Sequence, residues 1–459
     1  MPAPTLLWFR QDLRLHDQAA LAAAAREGPV IAVYILDDAS PGPWKIGGAQ
    51  RWWLHHSLIA LGAGLEQRGA RLVLRRGESV ETLATLAREM GASHIHAIRH
   101  YEPWWREAER RVGERLDLVL HDGNQLVSPR DVVNGAGKPY KIYTPFWRAL
   151  RQFLPPPQPL AAPDMIAAPE AWPLSDRLAD WELLPTRPDW ATGFGSEWNP
   201  GEAGAAANLN VFVGKIPAYL ERRDLPAEEG TSRLSPHLHW GEISPATVYH
   251  AASRHAPAIR DKFLKELSWR DFTTGVAAAN PDIGDRHARA AFERFAWRTP
   301  ASSGGDFAAW TNGRTGYPIV DAGMRQLWST GWMHNRVRMI AASFLVKHLL
   351  IDWREGALWF WDTLVDADFG NNGVNWQWIA GTGLDSNQFA RIMAPLVQSA
   401  KFDAALYIRH WVPELAALAD VQIHDPDAFD ARPADYPAKI IGHKEGRERA
   451  LSALAEADT

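Results

Sequence analysis

Along the first 130 residues, short apolar runs of strand length alternate with stretches in which apolar residues recur at helical spacing. The apolar runs are 5–9, 30–35, 71–74, 94–98 and 116–120. Helical patterns such as 48–69 and 80–91 lie between them. This alternation predicts a Rossmann-like α/β domain with a parallel five-stranded sheet. The first strand continues into Arg10 and Gln11 and not into GxGxxG, so a dinucleotide is not predicted at the usual place.

The pattern changes twice beyond residue 130. Residues 155–188 are rich in Pro and Ala with isolated Trp, which disfavours regular elements and predicts a surface linker. From about residue 200 the apolar spacing is helical almost throughout. A chain of 459 residues exceeds the usual limit of one core. We therefore predict an α/β domain over 1–130, an interdomain linker over 131–200 and an all-α domain over 201–459.

Composition narrows the classes of protein to which the chain can belong. The absence of Cys excludes disulfides, thiolate metal sites and thiol catalysis. No apolar run reaches about 18 residues and no signal segment opens the chain, so we expect a cytoplasmic protein without membrane contact. The net charge of -5 means that any nucleic acid must meet a local basic face. The 23 Trp residues indicate either core packing or aromatic surfaces for a cofactor, for bases and for electron hopping.

Five motifs stand in a fixed order along the chain. They are WFRQDLRL from Trp8, GTSRLSPHL from Gly230, WGEISP from Trp240, FLKELSWRDF from Phe263, and the aromatic-rich segment 310–378. Together they resemble the photolyase/cryptochrome family, and most closely its class I cyclobutane pyrimidine dimer photolyases. The resemblance implies an α/β antenna domain followed by an all-α FAD-binding domain that repairs UV-damaged DNA with light.

One face of the FLKELSWRDF segment carries Glu266, Trp269 and Arg270, because residues three and four apart are neighbours on a helix. Spacing alone favours an ordinary helix with a Glu266–Arg270 ion pair. The resemblance reverses that preference, since in photolyases the matching Glu hydrogen-bonds the thymine dimer and the matching Trp stacks on it. We expect Glu266 to be a carboxyl that burial keeps largely protonated.

Asn335 and Met339 lie one helical turn apart, so both should face one cavity, with Arg336 and Arg338 directed elsewhere. Family members that repair (6-4) photoproducts carry His at both places, where imidazole acts as a general acid. Asn and Met suit a cyclobutane dimer, although a Met taken alone is more often core filling.

The resemblance assigns the FAD contacts to Tyr219, Thr231, Ser232, Arg233, Leu234, Ser235, Phe263, Arg270, Arg338, Asp366, Ala367, Asp368 and Asn372. Hydroxyl and N–H groups of a Thr-Ser turn that opens a helix suit a pyrophosphate, although TSRLSP alone would indicate only a helix cap. Asn372 matches the residue that faces flavin N5 and is Asn as in repair enzymes, whereas plant blue-light receptors have Asp.

The family's tryptophan chain, which reduces photoexcited flavin, is matched by Trp376 and Trp353 as inner members and Trp297 as the outer member. Core packing is the default explanation for each Trp taken singly. The positions that contact lesion or DNA are, by the same resemblance, Arg223, Glu266, Trp269, Asn335, Arg336, Met339, Trp378 and Gln398. Lys401 is a further candidate for a phosphate contact.

The antenna chromophore is left open by the sequence. Folate-binding relatives carry an Asn-Glu pair after a Tyr-Glu, but here Tyr101-Glu102-Pro103 is followed by Trp104 and Trp105. A deazaflavin, a second flavin, a folate and an empty pocket all remain alternatives. Three nearby histidines suggest metal by spacing alone, yet nothing supplies a fourth ligand, so we predict no metal site.

The sequence as a whole predicts a monomeric DNA photolyase that splits cyclobutane pyrimidine dimers, in single- or double-stranded DNA, by electron transfer from reduced FAD. One alternative is a cryptochrome-type photoreceptor that signals to a protein partner. We expect no long polar C-terminal extension of the kind such receptors often carry, which favours the enzyme. The other alternative is (6-4) repair, which Asn335 and Met339 disfavour.

Overall fold

The computed structural model describes residues 3–384 and 389–457. Its N-terminal region contains one five-stranded sheet of order β3-β2-β1-β4-β5 in which every pairing is parallel. The strands are β1 Thr5–Phe9, β2 Val30–Leu36, β3 Leu72–Arg76, β4 His94–Ile98 and β5 Asp117–His121. The predicted sheet is confirmed, and the predicted strand ends differ from these by at most two residues.

Helices cover this sheet, as a parallel sheet requires. They are α1 Ala19–Glu27, α2 Gly48–Glu66, α3 Ser79–Met90 and α4 Pro103–Gly113. Strands β1 and β2 are buried at every position, which explains why they are continuous apolar runs and do not alternate.

The segment that follows β1 joins the sheet to the helical region. The backbone N–H of Leu13 donates to Trp240 O at 3.0 Å, and the Arg14 guanidinium donates to Gly241 O at 2.9 Å. Gly241 has a φ of +65°, and a Cβ there would lie 2.3 Å from Gln11 O. Two of the five sequence motifs, WFRQDLRL and WGEISP, therefore hold each other.

The Pro-rich segment runs along the α/β domain. Residues 154–177 form no helix or strand, yet the N–H of Ile166 donates to Arg68 O and the N–H of Asp176 donates to Leu74 O, both at 2.8 Å. Two helices lie within the predicted linker, α5 Tyr143–Leu150 and α6 Phe194–Glu197. The domain boundaries stay a prediction.

The rest of the described chain is helical and packs around one large apolar core. Its helices are α7 Glu202–Lys215, α8 Tyr219–Arg222, α9 Ser235–His239, α10 Pro245–Ala252, α11 Pro257–Ala279, α12 Asp306–Thr311, α13 Pro318–Thr330, α14 Asn335–Ser343, α15 Trp353–Thr363, α16 Phe369–Ala380, α17 Pro395–Lys401, α18 Ala405–Trp411, α19 Asp420–Ile423 and α20 His443–Ala457. A π-helical turn, Phe344–His348, follows α14. Short 3-10 turns are Gly42–Trp44, Arg151–Phe153, Leu178–Trp181, Ile216–Ala218, Ala290–Arg294, Ala301–Ser303, Pro413–Leu415 and Pro426–Phe429. None of the described helices is long and apolar enough to cross a membrane.

Candidate active site

A cavity of about 640 Å³ opens into the helical domain. This volume lies within the usual range for sites that hold a cofactor or another small molecule. The predicted site residues that line it are Tyr219, Arg223, Thr231, Ser232, Arg233, Ser235, Phe263, Glu266, Trp269, Arg270, Asn335, Arg336, Arg338, Met339, Asp366, Ala367, Asp368, Asn372, Trp376 and Trp378. Four predicted site residues do not line the cavity within the part of the chain that the structure describes: Leu234, Trp297, Trp353 and Gln398.

Helix α11 brings Glu266, Trp269 and Arg270 to the cavity. Glu266 pairs with Arg223 at 2.5 Å and with Lys262 at 2.8 Å, and 26% of its side chain is exposed. The buried, uncharged surroundings that we expected for this carboxyl are therefore not found. The Glu266–Arg270 pair that spacing suggested is also replaced, because Arg270 donates to Leu238 O at 3.0 Å.

Trp269 forms one wall of the cavity. Its ring stacks on Tyr143 of α5 with a centroid distance of 3.7 Å and an interplanar angle of 6°. The Tyr143 hydroxyl donates to Lys265 O at 2.7 Å, which ties α5 to α11. The helix inside the predicted linker thus holds the indole in place.

Helix α14 begins at Asn335, and residues of its first turn line the cavity. Asn335 is exposed and Met339 is half-buried. Our expectation that Arg336 and Arg338 point elsewhere is wrong, since both line the cavity. Their side chains are long enough to turn back: Arg336 Nη1 lies 3.7 Å from Met339 Sδ, and Arg338 donates to Met333 O at 2.7 Å.

An ion pair joins α14 to the segment before α16. Arg338 donates to both Asp366 carboxylate oxygens, at 3.0 and 2.8 Å. Such bidentate pairs fix geometry as well as charge. Asp368 caps α16 by accepting from the Asn371 N–H at 2.7 Å, and the Asn372 amide donates to Ala357 O at 3.1 Å. An amide flip at Asn372 would therefore lose a hydrogen bond.

The Thr-Ser turn precedes a very short helix. Helix α9 starts at Ser235 and has five residues, and the N–H of Leu234 donates to Ser232 Oγ at 3.3 Å. Arg233 adopts a φ of +54° and lies between the rings of Trp198 and Trp332, at 4.2 and 4.5 Å from their centroids. This turn therefore presents hydroxyl groups and a cation to the cavity together.

The three tryptophans of the predicted chain lie on separate elements. Trp376 lines the cavity from α16, and Trp353 is fully buried at the start of α15. A Cβ on Gly356 of α15 would lie 2.3 Å from the Trp376 ring, so the missing side chain lets α16 approach α15 closely. The ring of His287 lies 5.8 Å from Trp353 and 6.3 Å from Trp297.

Several cavity residues were not identified from the sequence. They include Lys141, His239, Lys262, Trp332, Met333, Phe360, Asn371 and Asn375. Trp332 and Met333 stand three and two positions before Asn335, so their closeness in sequence to a predicted site residue could have identified them. His239 is buried, and its Nδ1 has no hydrogen-bond partner in the part of the chain that the structure describes. Burial lowers its pKa, so a neutral ring lines the cavity.

The candidate antenna region contains Trp104 and Trp105 as packed rings. Trp104 meets Phe369 edge-on at 5.2 Å, and Trp105 meets Trp8 edge-on at 6.0 Å. Of the nearby histidines, His96 hydrogen-bonds His121 at 2.8 Å. No group of three or more candidate metal ligands occurs among the described residues.

Two family models match the sequence. Residues 5–164 match a DNA photolyase model, and residues 263–456 match a model of the FAD binding domain of DNA photolyase. The deoxyribodipyrimidine photo-lyase of Agrobacterium fabrum is 48% identical over 474 residues, which covers 99% of this chain and 98% of that protein.

Solved structures give the same family. A bacterial class III photolyase from Agrobacterium tumefaciens superposes with a TM-score of 0.94 at 46% identity, covering 100% of this chain and 98% of that one. Its class differs from the class I type that the motifs suggested. An archaeal photolyase from Sulfolobus tokodaii, described with two FAD molecules, has a TM-score of 0.83 at 29% identity over 99% of this chain and 100% of its own.

Proposed function

This chain is an enzyme of the photolyase/cryptochrome family, and we propose that it repairs cyclobutane pyrimidine dimers in DNA with light. The observation that carries the proposal is the shared cavity, because it is lined by the predicted FAD contacts except Leu234 and by the predicted lesion contacts except Gln398. When bound, reduced FAD supplies the light-driven electron that splits the dimer.

The donor set of the cavity fits FAD. Arg233 and Arg270 supply cations, and Thr231, Ser232 and Ser235 supply hydroxyls, which is the chemistry that a diphosphate requires. His239 also lines the cavity, and its Nδ1 has no hydrogen-bond partner within residues 3–384 and 389–457, so it offers a further polar atom at the site. Tyr219, Phe263, Arg338, Asp366, Ala367, Asp368 and Asn372 complete the residues that would hold the group.

The lesion side of the cavity favours a flipped-out cyclobutane dimer. Photolyases are among the base-flipping enzymes, so extrusion of the dimer is expected of the family. Trp269 and Trp378 supply apolar walls, and Asn335 supplies an amide that can both donate and accept. Repair of (6-4) photoproducts needs an acidic imidazole, but the histidine lining the described cavity, His239, is neutral because burial lowers its pKa.

DNA would bind through local cations around the cavity. Arg223 lies against Glu266, and Arg336 pairs with Asp224 at 2.9 Å, so phosphates would compete with these carboxylates. Lys401 is exposed at the end of α17, the helix that also carries Gln398. Affinity should fall with rising salt, because phosphate neutralisation releases counterions.

We further propose that the protein acts as a monomer in the cytoplasm, on dimers in single- or double-stranded DNA. A second chromophore in the α/β domain, either a deazaflavin, a flavin or a folate, is part of this proposal. Chromatography of the chromophores released by denaturation identifies both cofactors, and we expect FAD among them.

The decisive experiment uses protein whose flavin has been reduced chemically, so that photoreduction plays no part. It is illuminated with oligonucleotides that carry one cyclobutane dimer or one (6-4) photoproduct, with dark samples as controls. We expect restoration of the first lesion only. Repair of neither lesion by FAD-loaded protein would favour the photoreceptor, and repair of the second would overturn the lesion assignment.

Trp269→Ala is the matched variant for the lesion pocket. Loss of this wall should reduce the preference for damaged over intact DNA, since it removes contact with the flipped base and leaves the phosphate contacts in place. Lys401→Ala should weaken binding to both DNAs equally. An unchanged damage preference in Trp269→Ala would exclude the residue from the lesion pocket.

A further inference from the structure

His287 contacts two members of the predicted tryptophan chain at once. The Trp353 indole Nε1–H donates to His287 Nδ1 at 3.2 Å, and the imidazole lies nearly parallel to the Trp297 ring, at 13° and 6.3 Å. Trp353 itself is fully buried. A proton on Trp353 Nε1 therefore has a protein base beside it and no exposure to solvent.

The helix that carries Trp376 also fixes the loop that carries His287. The fully buried Gln377 donates to Ile283 O at 2.7 Å and to Arg286 O at 2.8 Å, and it accepts from the Ala288 N–H at 2.8 Å. His287 donates its own backbone N–H to Glu293 at 3.0 Å. These hydrogen bonds fix the backbone around His287, which places its imidazole beside Trp353 and Trp297.

The protonation of His287 leaves one nitrogen free to accept. Burial, followed by the positive charge of Arg354, lowers the pKa of His287 to about 4, so the ring is neutral near pH 7. A neutral imidazole has a single acceptor nitrogen, but two donors approach it: Trp353 at Nδ1 and Arg354 at Nε2, the latter at 3.2 Å.

The competition favours Trp353. Arg354 has other acceptors, because it also contacts Asp352 at 3.1 Å, Glu293 at 3.6 Å and the Asp285 carbonyl at 2.6 Å. The Trp353 indole can only donate, and it donates to His287. By contrast, the buried Nε1 of Trp297 has no hydrogen-bond partner among the described residues.

We propose that His287 is the proton acceptor of the tryptophan chain and takes the Nε1 proton of Trp353 while Trp353 is oxidised. Trp353 first gives one electron to oxidised Trp376. Its Nε1–H bond then breaks and the proton bonds to His287 Nδ1, which leaves a neutral Trp353 radical and an imidazolium. When Trp297 supplies an electron to Trp353, the proton returns and the positive charge rests on Trp297. No other reactant is needed.

The advantage lies in the return reaction. Charge recombination returns an electron from the cavity side to Trp353. Once Trp353 is a neutral radical, this return also requires a proton from His287, so recombination is slower and the charge-separated state lasts longer.

Asp352 and Glu293 pair with Arg354 at 3.1 and 3.6 Å, and Arg286 lies 3.9 Å from Glu293. Burial and then the charge of Arg354 lower the pKa of His287, and the two carboxylates act in the opposite direction and favour the imidazolium. This inference rests on the proposed FAD site and on the assignment of the three tryptophans.

Transient absorption of the FAD-loaded, oxidised protein tests the proposal. All proteins compared carry Trp297→Phe, because without Trp297 no electron reaches oxidised Trp353 from the outer side and the Trp353 radical can be observed. Three residues are compared at position 287: the native His, His287→Asn, which keeps a hydrogen-bond acceptor that is not a base, and His287→Phe, which keeps only a ring. We expect a neutral Trp radical with His and a protonated radical, shorter-lived by several-fold, with Asn and Phe.

A second measurement compares H₂O with D₂O in the Trp297→Phe protein that keeps the native His287, so its main result needs no substitution at position 287. Replacing water by D₂O should slow formation of the neutral radical, and this isotope effect should vanish in His287→Asn. Equal radical spectra in all three proteins, no isotope effect, or no Trp353 radical would each overturn the proposal. Failure of the proposed DNA repair is seen separately, because the repair assay uses chemically reduced protein and bypasses the chain.

Discussion

Each of the two domains holds an arginine between two indole rings. Arg10 of the α/β domain lies 4.2 Å from the Trp8 ring and 5.6 Å from Trp105, and it is 1% exposed. Arg233 of the helical domain has the same arrangement between two other indoles, but 29% of its side chain is exposed and it lines the cavity. The same residue types therefore close a core in one domain and border a binding site in the other.

The partners of the two guanidinium groups explain the difference. Arg10 pairs at 2.7 Å with Glu109, whose side chain is 6% exposed, and also donates to the Ile98 carbonyl. Arg233 pairs with Glu197, whose side chain is 40% exposed. A buried, paired charge is committed to the fold, whereas a half-exposed one keeps donors for an anionic ligand.

The largest expected effect separates these two arginines. Arg10→Ala leaves the Glu109 carboxylate buried without its partner, which should cost about 3–5 kcal/mol of the free energy of unfolding. Arg233→Ala removes a partly exposed pair and two cation–π contacts, worth about 1–2 kcal/mol together. Denaturant unfolding of the FAD-free proteins measures both changes.

For FAD binding we expect the opposite ranking of the two variants, with the larger effect from Arg233→Ala. Arg233→Ala should weaken FAD binding, as titrated by flavin fluorescence, and Arg10→Ala should leave the affinity of the folded fraction unchanged. Equal losses of stability, or a larger loss of FAD affinity in Arg10→Ala, would contradict the distinction between a core arginine and a site arginine.

Two buried aspartates sharpen the comparison through pH. Burial raises the pKa of Asp271 in α11 to about 7, and its Oδ1 has no hydrogen-bond partner among the described residues. Burial also acts on Asp12 of the α/β domain, but His100 and Arg10 outweigh it and lower the pKa of Asp12. One carboxyl therefore favours its neutral form and the other its charged form.

The two shifts predict opposite pH dependences. Folded protein holds the Asp271 proton that unfolded protein releases above about pH 4, so this group reduces stability by about 1.4 kcal/mol per unit between about pH 4 and pH 7. Asp271→Asn should remove that slope. Asp12 stabilises the fold fully above its unfolded pKa of about 4, and this contribution is lost as the pH falls below that value towards the lowered folded pKa, so Asp12→Asn should cost more above about pH 5 than in acid. Unfolding curves from about pH 2 to pH 8 check both, and parallel curves for wild type and Asp271→Asn would refute the first.

Local pattern was sufficient wherever one element decides the outcome. The five strands follow from apolar runs, and the cavity face of α11 follows from helical spacing of Glu266, Trp269 and Arg270. The first turn of α14 was only half predicted. Spacing gave the direction of Asn335 and Met339 but could not give the reach of long side chains such as Arg336, which turn back to the cavity.

Pairings between distant residues left no local signal. His287 is 66 positions from Trp353 in the sequence, and the loop that Gln377 holds by hydrogen bonds places the two side chains together. The ion pair of Glu266 with Arg223 was missed for the same reason, since Arg223 reaches it from the end of α8, whereas the pair with Lys262 has the local i,i+4 spacing. The outer positions Trp297 and Gln398 lie outside the cavity lining as described, so sequence matching alone does not give their contacts.

The smallest expected effect compares two glycines inside helices. Gly356→Ala places a Cβ 2.3 Å from the Trp376 ring and 2.6 Å from a Leu345 methyl, which should cost about 1–3 kcal/mol by overpacking. Gly62→Ala in α2 is the matched control, because a Cβ there meets nothing within 4 Å. Gly62→Ala should gain about 0.5–1 kcal/mol, since Ala is the better helix former.

Gly356→Ala should also displace Trp376 and slow photoreduction of bound FAD, whereas Gly62→Ala should not. If both variants were stabilised, or if photoreduction were unaffected in Gly356→Ala, the close approach of α15 and α16 would not be what positions Trp376.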